Sequence, residues 1–451
     1  MRLSNLATRA DMKPILGLVI LCSSIIILDS SIVAIYFNTS SEPAPIINIS
    51  FFISLVVSFA FINFILIRYS KQDFLQSRHK HHKGQRIYLW SIITIQFILC
   101  LMLVSIVIQL LVYRSYNVSI LVSIIYISHI TAVGFLTLLT YQFLSWIRSV
   151  RNYVVLWYTF AFSILLINIF ISLIYFTLLA SNYDPIMKLR PIRIALIDTS
   201  FPFSLSTLGM VYDYLSIASF VFAWIPTVIL LKTYALRFGK AKYWLLVTIP
   251  IAYFILPFLL DELGTLDYLR LEYGRQFNLV YNIFFSPYRQ VGGLLFGIAF
   301  FITAIKIKRK DLRALVMISG IGMTLLYSST VIHGISYIVA PPFGLVTVSF
   351  LGLASYMLAI GIVASSKELA RDALVRRDLH KFAGEQMLLF KKIGAAEMEK
   401  ALIKRIKPII DKTKTAEESN LQFDMVQEDY KDMIKEVLDE IKASSKNRVT
   451  T

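Results

Sequence analysis

The chain has 451 residues, of which 57% are hydrophobic and 16% charged, and its formal net charge is +17. Soluble domains carry roughly 25% charged residues, so this composition excludes a water-soluble globular protein. The large positive charge needs a separate explanation, which its distribution along the chain supplies.

Ten apolar stretches without Lys or Arg occupy the first 366 residues. A helix needs about 20 apolar residues to cross the hydrocarbon core of a bilayer, so each stretch predicts a transmembrane span. In chain order they are 14–37, 51–67, 87–113, 119–146, 153–180, 211–231, 243–260, 291–305, 314–334 and 345–366. The sequence therefore predicts an all-α fold, a polytopic transmembrane helix bundle of about ten spans over residues 1–366, of which 291–305 is the shortest.

The basic residues are concentrated on one side of these spans. With the N-terminus inside, the inner flanks hold 20 Lys and Arg in 57 residues, whereas the outer segments hold 7 in 88. This asymmetry follows the positive-inside rule and predicts a cell-membrane protein with both termini cytoplasmic. The charge then orients the chain and attracts anionic inner-leaflet lipids, so no nucleic-acid partner is needed to explain it.

Five polar side chains inside predicted spans form a candidate intramembrane site. Asp29 is the carboxylate placed well inside a span, and because an ionised carboxylate is costly in hydrocarbon it should face the bundle interior. His129 and His333 lie in the fourth and ninth spans, and Gln96 and Asn168 in the third and fifth. Two interpretations stay open: a proton or cation site, or polar groups that hydrogen-bond between helices.

Two predicted outer segments, 181–210 and 261–290, are each 30 residues long. Loops of this length without structure of their own are uncommon, and the aromatic content suggests short helices at the membrane interface. The second segment supplies candidate recognition residues, namely Asp261, Glu262, Arg270 and Arg275. A structural cap over the bundle and a ligand-recognition surface are both compatible with this pattern.

Motifs for catalysis or cofactor binding are missing from the sequence. There is no Gly-rich phosphate loop followed by Lys, no G-x-S-x-G and no H-E-x-x-H. Residues 78–83 read RHKHHK, but the interleaved positive charges oppose a metal cation, so this run is interpreted as a basic inner loop. The sequence thus predicts a non-enzymatic protein without cofactor or metal.

Residues 367–451 form a charged tail with 18 Lys and Arg and 16 Asp and Glu. Its apolar residues recur at helical spacing, which predicts a cytoplasmic tail of amphipathic helices. Such helices need a partner because a lone amphipathic helix is marginal in water. They either pack on each other, or they form a homodimer or bind a cytoplasmic effector.

Residues 340–356 read APPFGLVTVSFLGLASY, residues 360–366 read IGIVASS, and residues 392–400 read KIGAAEMEK. Over about residues 290–407 the chain resembles uncharacterised polytopic membrane proteins of ammonia-oxidising archaea. The resemblance implies an archaeal cytoplasmic membrane. It implies no activity, and it assigns no functional residue.

Three functional hypotheses follow. The first is a non-enzymatic sensor or scaffold that couples the outer loops to the cytoplasmic tail; the low glycine content, 18 in 451 residues, favours it because transporters need broken, Gly-rich helices. The alternative is a secondary transporter with Asp29 as an intramembrane proton or cation site. The third is an intramembrane lipid-modifying enzyme that uses Asp29 and His129.

Overall fold

The structure, a computed structural model, describes residues 13–36, 45–76, 83–149, 152–180, 186–188, 203–264, 288–307, 309–330, 341–371 and 392–398, together with residue 389 and parts of 268–285. Nearly all of these residues are helical. The helices are α1 Lys13–Tyr36, α2 Pro45–Gln76, α3 Lys83–Tyr113, α4 Val118–Ser149, α5 Tyr153–Ala180, α6 Phe203–Phe238, α7 Lys240–Glu262, α8 Tyr288–Lys306, α9 Lys310–Ser329, α10 Leu345–Ser349 and α11 Leu351–Arg371. Two short strands, β1 Ser115–Asn117 and β2 Ile186–Lys188, complete the described elements.

Among the described residues, eight helical stretches are long and apolar enough to cross a membrane. They match the second to seventh, ninth and tenth predicted spans. The first and eighth predicted spans correspond to the shorter apolar stretches Gly17–Asp29 and Gln290–Ile305. The prediction of a helical, multi-pass membrane protein is confirmed in this form, and the count of ten spans stays a prediction.

The bundle is built around α9 and the last span, which consists of α10 and α11 together. In each of these two, 89% of the most apolar 18-residue stretch is buried within the protein, against 28% in α3 and 22% in α7. The exposed apolar side chains of the peripheral helices are those that hydrocarbon would cover. The last span is therefore an interior element, placed to contact several other helices.

Glycine allows α8, α9 and α11 to approach closely. A Cβ added at Gly297 of α8 would overlap the Thr324 side chain of α9 and lie 3.0 Å from the Gly320 carbonyl oxygen. A Cβ at Gly322 of α9 would lie 2.9 Å from the Ala354 carbonyl oxygen of α11. Small residues at such crossings are typical of membrane helices, which associate through close packing rather than through the hydrophobic effect.

The two strands form an antiparallel pair that the sequence did not predict. Tyr116 pairs with Met187, and Tyr116 is buried. Each strand has three residues, which is too short to carry a recognisable alternation of polar and apolar residues. The pair joins the α3–α4 connection to the first predicted outer segment, so part of that segment is fixed to the bundle.

The helix of the last span continues past residue 366 into the charged part of the chain, where α11 ends at Arg371. Further along the chain, Leu389, Ile393 and Ala396 are buried. A Cβ at Gly394 would lie 2.9 Å from the Cβ of Leu369, so this part of the tail packs on the end of α11. The chain divides into two compact units, Met1–Ala396 and Glu397–Thr451.

The predicted boundary at residue 366 marks where charged composition begins, whereas the first compact unit extends 30 residues further, to Ala396. Of the predicted tail, residues 367–371, 389 and 392–398 are described, and all of them are helical. The remaining tail lies outside the described residues.

Candidate functional site

Asp29 of α1 caps the start of the last span. The backbone N–H of Gly344 donates to Asp29 Oδ1 at 2.9 Å. The backbone N–H and the side-chain hydroxyl of Thr347 both donate to Asp29 Oδ2, each at 2.8 Å. Asp29 is fully buried, so these three donors replace the water that the carboxylate would bind outside the membrane.

The local sequence explains why α10 needs this acceptor. The first N–H groups of a helix have no partner within the helix, and Gly344, the N-cap residue, has no side chain to accept from them. Gly344 has φ +85°, in the left-handed region that favours glycine. A carboxylate from another helix therefore supplies the missing acceptors, and its charge interacts favourably with the positive end of the helix dipole.

A second polar contact reaches the joint between α10 and α11. The Asn63 side-chain amide donates to Gln96 Oε1 at 3.1 Å, and the Gln96 amide donates to the Ser349 carbonyl oxygen at 3.5 Å. Asn63 and Gln96 are buried, and they come from α2 and α3. The two helices meet after Ser349. There the Phe350 N–H donates to the Thr347 carbonyl oxygen at 3.2 Å, which makes this turn tighter than an α-helical turn.

His129 of α4 is held by two hydrogen bonds whose directions follow from the partners. Its Nδ1 lies 2.9 Å from the Ile125 carbonyl oxygen, which can only accept, so Nδ1 carries the proton. The neutral ring then has Nε2 as an acceptor, and the Ser172 hydroxyl of α5 donates to it at 2.9 Å. Because His129 is buried, the neutral ring is favoured, and the two bonds hold it between α4 and α5.

His129, Asn168 and Ser172 line a cavity that also contacts Val348 and Leu351 of the last span. Asp29, Gln96, His129 and Asn168, from four different helices, therefore all lie around the first turns of α10 and α11. Asp29 and His129 bond different partners, Thr347 and Ser172 among them. His333, the fifth residue of the predicted cluster, lies outside the described residues.

The predicted outer recognition residues are only partly described. Asp261 and Glu262 end α7, and their side chains are outside the described part, as are Arg270 and Arg275. The neighbouring described residues of this segment are largely helical, and they contact α7 through a hydrogen bond from the Tyr253 hydroxyl to the Phe284 carbonyl oxygen.

An aromatic column connects this segment to the interior. The Tyr253 ring stacks with Phe285 at 5.8 Å between ring centroids, and the next residue of α7, Phe254, stacks with Phe220 of α6 at 3.8 Å. The Phe220 ring lies 4.9 Å from Phe296 of α8, which lies 4.7 Å from Tyr327 of α9. Aromatic pairs at these separations attract each other, so they join the predicted outer segment to the central helix α9.

The opposite end of the last span carries an ionic contact. The Arg309 guanidinium donates to Glu368 of α11 at 2.7 Å, and Arg309 precedes α9. Glu368 is next to Leu369, which contacts the tail at Gly394. The last span thus has buried polar contacts around its beginning and contacts the tail near its end.

Three residues of this arrangement were not predicted from the sequence: Gly344, Thr347 and Ser172. The Pro-Pro-Phe-Gly run before an apolar stretch signals a helix start, which could have indicated the capping site. Ser172 lies four residues after Asn168 and so shares its helical face, but this spacing does not identify His129 as its partner.

Among the described residues, no group of three or more His, Cys, Asp or Glu is placed to hold a metal ion. The described polar cluster is a set of interhelical hydrogen bonds, one buried carboxylate and one small cavity. No family model, no curated protein and no solved structure matches this chain.

Proposed function

We propose that the protein is a non-enzymatic membrane sensor or scaffold in which the last span couples the predicted outer side to the cytoplasmic tail. One observation carries the proposal: α10 and α11 are held at the beginning by Asp29 and contact the tail through Leu369 near the end. A buried helix moves as a packed unit with discrete arrangements, so a shift at Gly344 would reach Leu369.

The aromatic column supports an input from the predicted outer segment of residues 261–290. A partner that contacts this segment would act on Tyr253 and Phe254, and through Phe220 on α9. Because α9 packs on α11 at Gly322, the column ends beside the helix that carries the tail contact. The candidate residues Asp261, Glu262, Arg270 and Arg275 belong to this proposed input surface.

The proposed orientation has both termini in the cytoplasm, with the basic flanks against anionic lipids. Lys71 lies 5.9 Å from the centroid of the Trp90 ring, a cation–π contact at the end of α2 where the sequence predicts the inner interface. The tail beyond residue 396 is the proposed site for a homodimer contact or a cytoplasmic effector.

The transporter alternative is favoured by the buried Asp29, because acids inside membrane spans commonly mark ion or proton pathways. Two features make it the second choice. Asp29 already accepts three hydrogen bonds, and the described cavity beside the last span has a volume of about 20 Å³, which is enough for about one water molecule. A lipid-modifying enzyme is less favoured still, because Asp29 and His129 are engaged separately.

The proposal is tested by hydrogen exchange on the full-length protein in lipid nanodiscs, comparing the wild type with Asp29→Asn. The variant weakens the cap, so the amides of residues 344–347 should exchange faster. If the last span transmits the change, the amides of residues 392–396 should also exchange about tenfold faster, since a factor of ten corresponds to about 1.4 kcal/mol of local stability.

The matched control is Asp213→Asn, because Asp213 Oδ1 has no hydrogen-bond partner among the described residues. Exchange in α7 serves as an internal reference. Faster exchange at residues 344–347 with no change at residues 392–396 would contradict the proposed coupling. Uptake of a solute that is driven by a proton gradient in proteoliposomes and lost in Asp29→Asn would favour the transporter instead.

A further inference from the structure

The cavity beside the last span contains two buried oxygens that lack hydrogen bonds. Asn168 Oδ1 and Ser329 Oγ have no partner among the described residues, and both side chains are 1% exposed. Both residues line the same cavity, together with the His129–Ser172 pair. A buried polar atom without a partner costs about 1–3 kcal/mol, so this site favours a ligand that can hydrogen-bond to both.

The charge of the site restricts what it can hold. His129 is buried, which favours the neutral ring, and it is already bonded to Ile125 and Ser172. None of the other described lining residues is ionisable at neutral pH, and the walls include Ile169, Phe176 and Leu351. An ion would therefore enter a low-dielectric site without a countercharge, which is strongly unfavourable.

The hydrogen-bonding pattern and the size of the cavity restrict the ligand further. Asn168 Oδ1 can only accept, so the ligand must donate, whereas the Ser329 hydroxyl can donate or accept. The volume of about 20 Å³ is close to the roughly 10–15 Å³ that one water requires, so the size favours water over a larger solute.

We propose that this cavity is a binding site for one ordered water molecule, which donates to Asn168 Oδ1 and bonds to Ser329 Oγ. The water would connect α5 to the end of α9 beside Val348 of the last span. This places a replaceable, uncharged ligand at the junction of three helices. The site follows from local geometry alone and is independent of the proposed signalling role.

X-ray radiolytic labelling of the full-length protein in nanodiscs tests the proposal. Hydroxyl radicals formed from a bound water oxidise the side chains that touch it, and mass spectrometry locates the products. Tyr212 and Phe176 line the cavity although they are 3% and 2% exposed, so we expect both to be labelled. Phe59 and Phe162, which are 0% exposed and outside the lining, serve as unlabelled references.

The variant pair for this test is Asn168→Leu and Ser329→Ala, made together and with Ser329→Ala also alone. The double variant should reduce labelling of Tyr212 and Phe176 to the level of the references, and the single variant should reduce it in part. Thr159→Val is the matched control on α5, because Thr159 is buried and its hydroxyl bonds its own helix at Val155. It should leave the labelling unchanged.

Two results would overturn the proposal. The first is wild-type labelling of Tyr212 and Phe176 no higher than that of Phe59 and Phe162. The second is labelling that persists unchanged in Ser329→Ala and in the double variant, because the oxidation would then come from bulk solvent. Should the double variant fail to fold, the wild-type comparison and Ser329→Ala still decide the question.

Discussion

Replacement of Asp29 by Asn is the sharpest perturbation of the link between α1 and the last span. Asn has nearly the same shape, but it offers one acceptor oxygen and one amide donor in place of two carboxylate oxygens. The best orientation keeps the oxygen at the position of Oδ2, where both Thr347 donors remain bonded. The amide then faces the Gly344 N–H, and that bond is lost.

The cost follows from these contacts. Loss of one hydrogen bond to a charged acceptor costs about 1.5–3 kcal/mol, and loss of the negative charge at the helix start removes a further ~0.3–2 kcal/mol. We expect Asp29→Asn to lower the free energy of unfolding by about 2–5 kcal/mol. Thr347→Val removes only the hydroxyl bond and should cost about 1.5–3 kcal/mol.

Reversible unfolding by titration with SDS in mixed micelles measures these free energies. Asp213→Asn is the control, and it should not lower the free energy of unfolding. Asp213 Oδ1 is buried and accepts no hydrogen bond from the described residues, so a neutral amide is tolerated there at least as well as the carboxylate. If Asp29→Asn and Asp213→Asn have equal effects, the capping account of Asp29 is wrong.

Three further predictions concern packing, the helix joint and the ionic contact. Gly297→Ala should destabilise the protein by about 1–3 kcal/mol because the added Cβ overlaps α9. Gly134→Ala, with open space around it, should be neutral or stabilise the protein by up to about 1 kcal/mol. SDS unfolding compares the two variants, and equal effects would contradict the close packing. Gln96→Leu should cost about 1–3 kcal/mol in the same assay, since a buried amide and a carbonyl lose their partner; an unchanged midpoint would exclude this role. Glu368→Gln should weaken the contact with Arg309 and cost about 1–3 kcal/mol, because Glu368 is buried and its hydrogen bond is to a charged group; an unchanged free energy of unfolding would exclude a stabilising contact.

Much of the fold could be predicted because the bilayer imposes its own rule. Long apolar runs free of charge must form helices in hydrocarbon, and six of the predicted spans, from residue 51 to residue 260, fall on helices α2 to α7. The β1–β2 pair was missed because its strands are three residues long. Short strands of this kind depend on a distant partner rather than on a local pattern.

Individual polar residues could be identified from the sequence, but their partners could not. Asp29 stands out because acids are rare inside spans, yet its partners are two backbone N–H groups and one hydroxyl more than 300 residues away along the chain. Backbone donors leave no compositional signal. His129 likewise stands out, whereas Ser172 resembles the other small polar residues of α5.

The coupling of Asp29 to the tail contact is the central claim, and a double-mutant cycle tests it most directly. Gly394→Leu disturbs the tail contact because its Cβ meets that of Leu369 at 2.9 Å, and it is combined with Asp29→Asn in SDS unfolding of the full-length protein. Distant, independent sites are additive within about 0.3–0.5 kcal/mol. We predict a coupling energy above about 0.5 kcal/mol, carried by the last span, while additive effects would contradict the account.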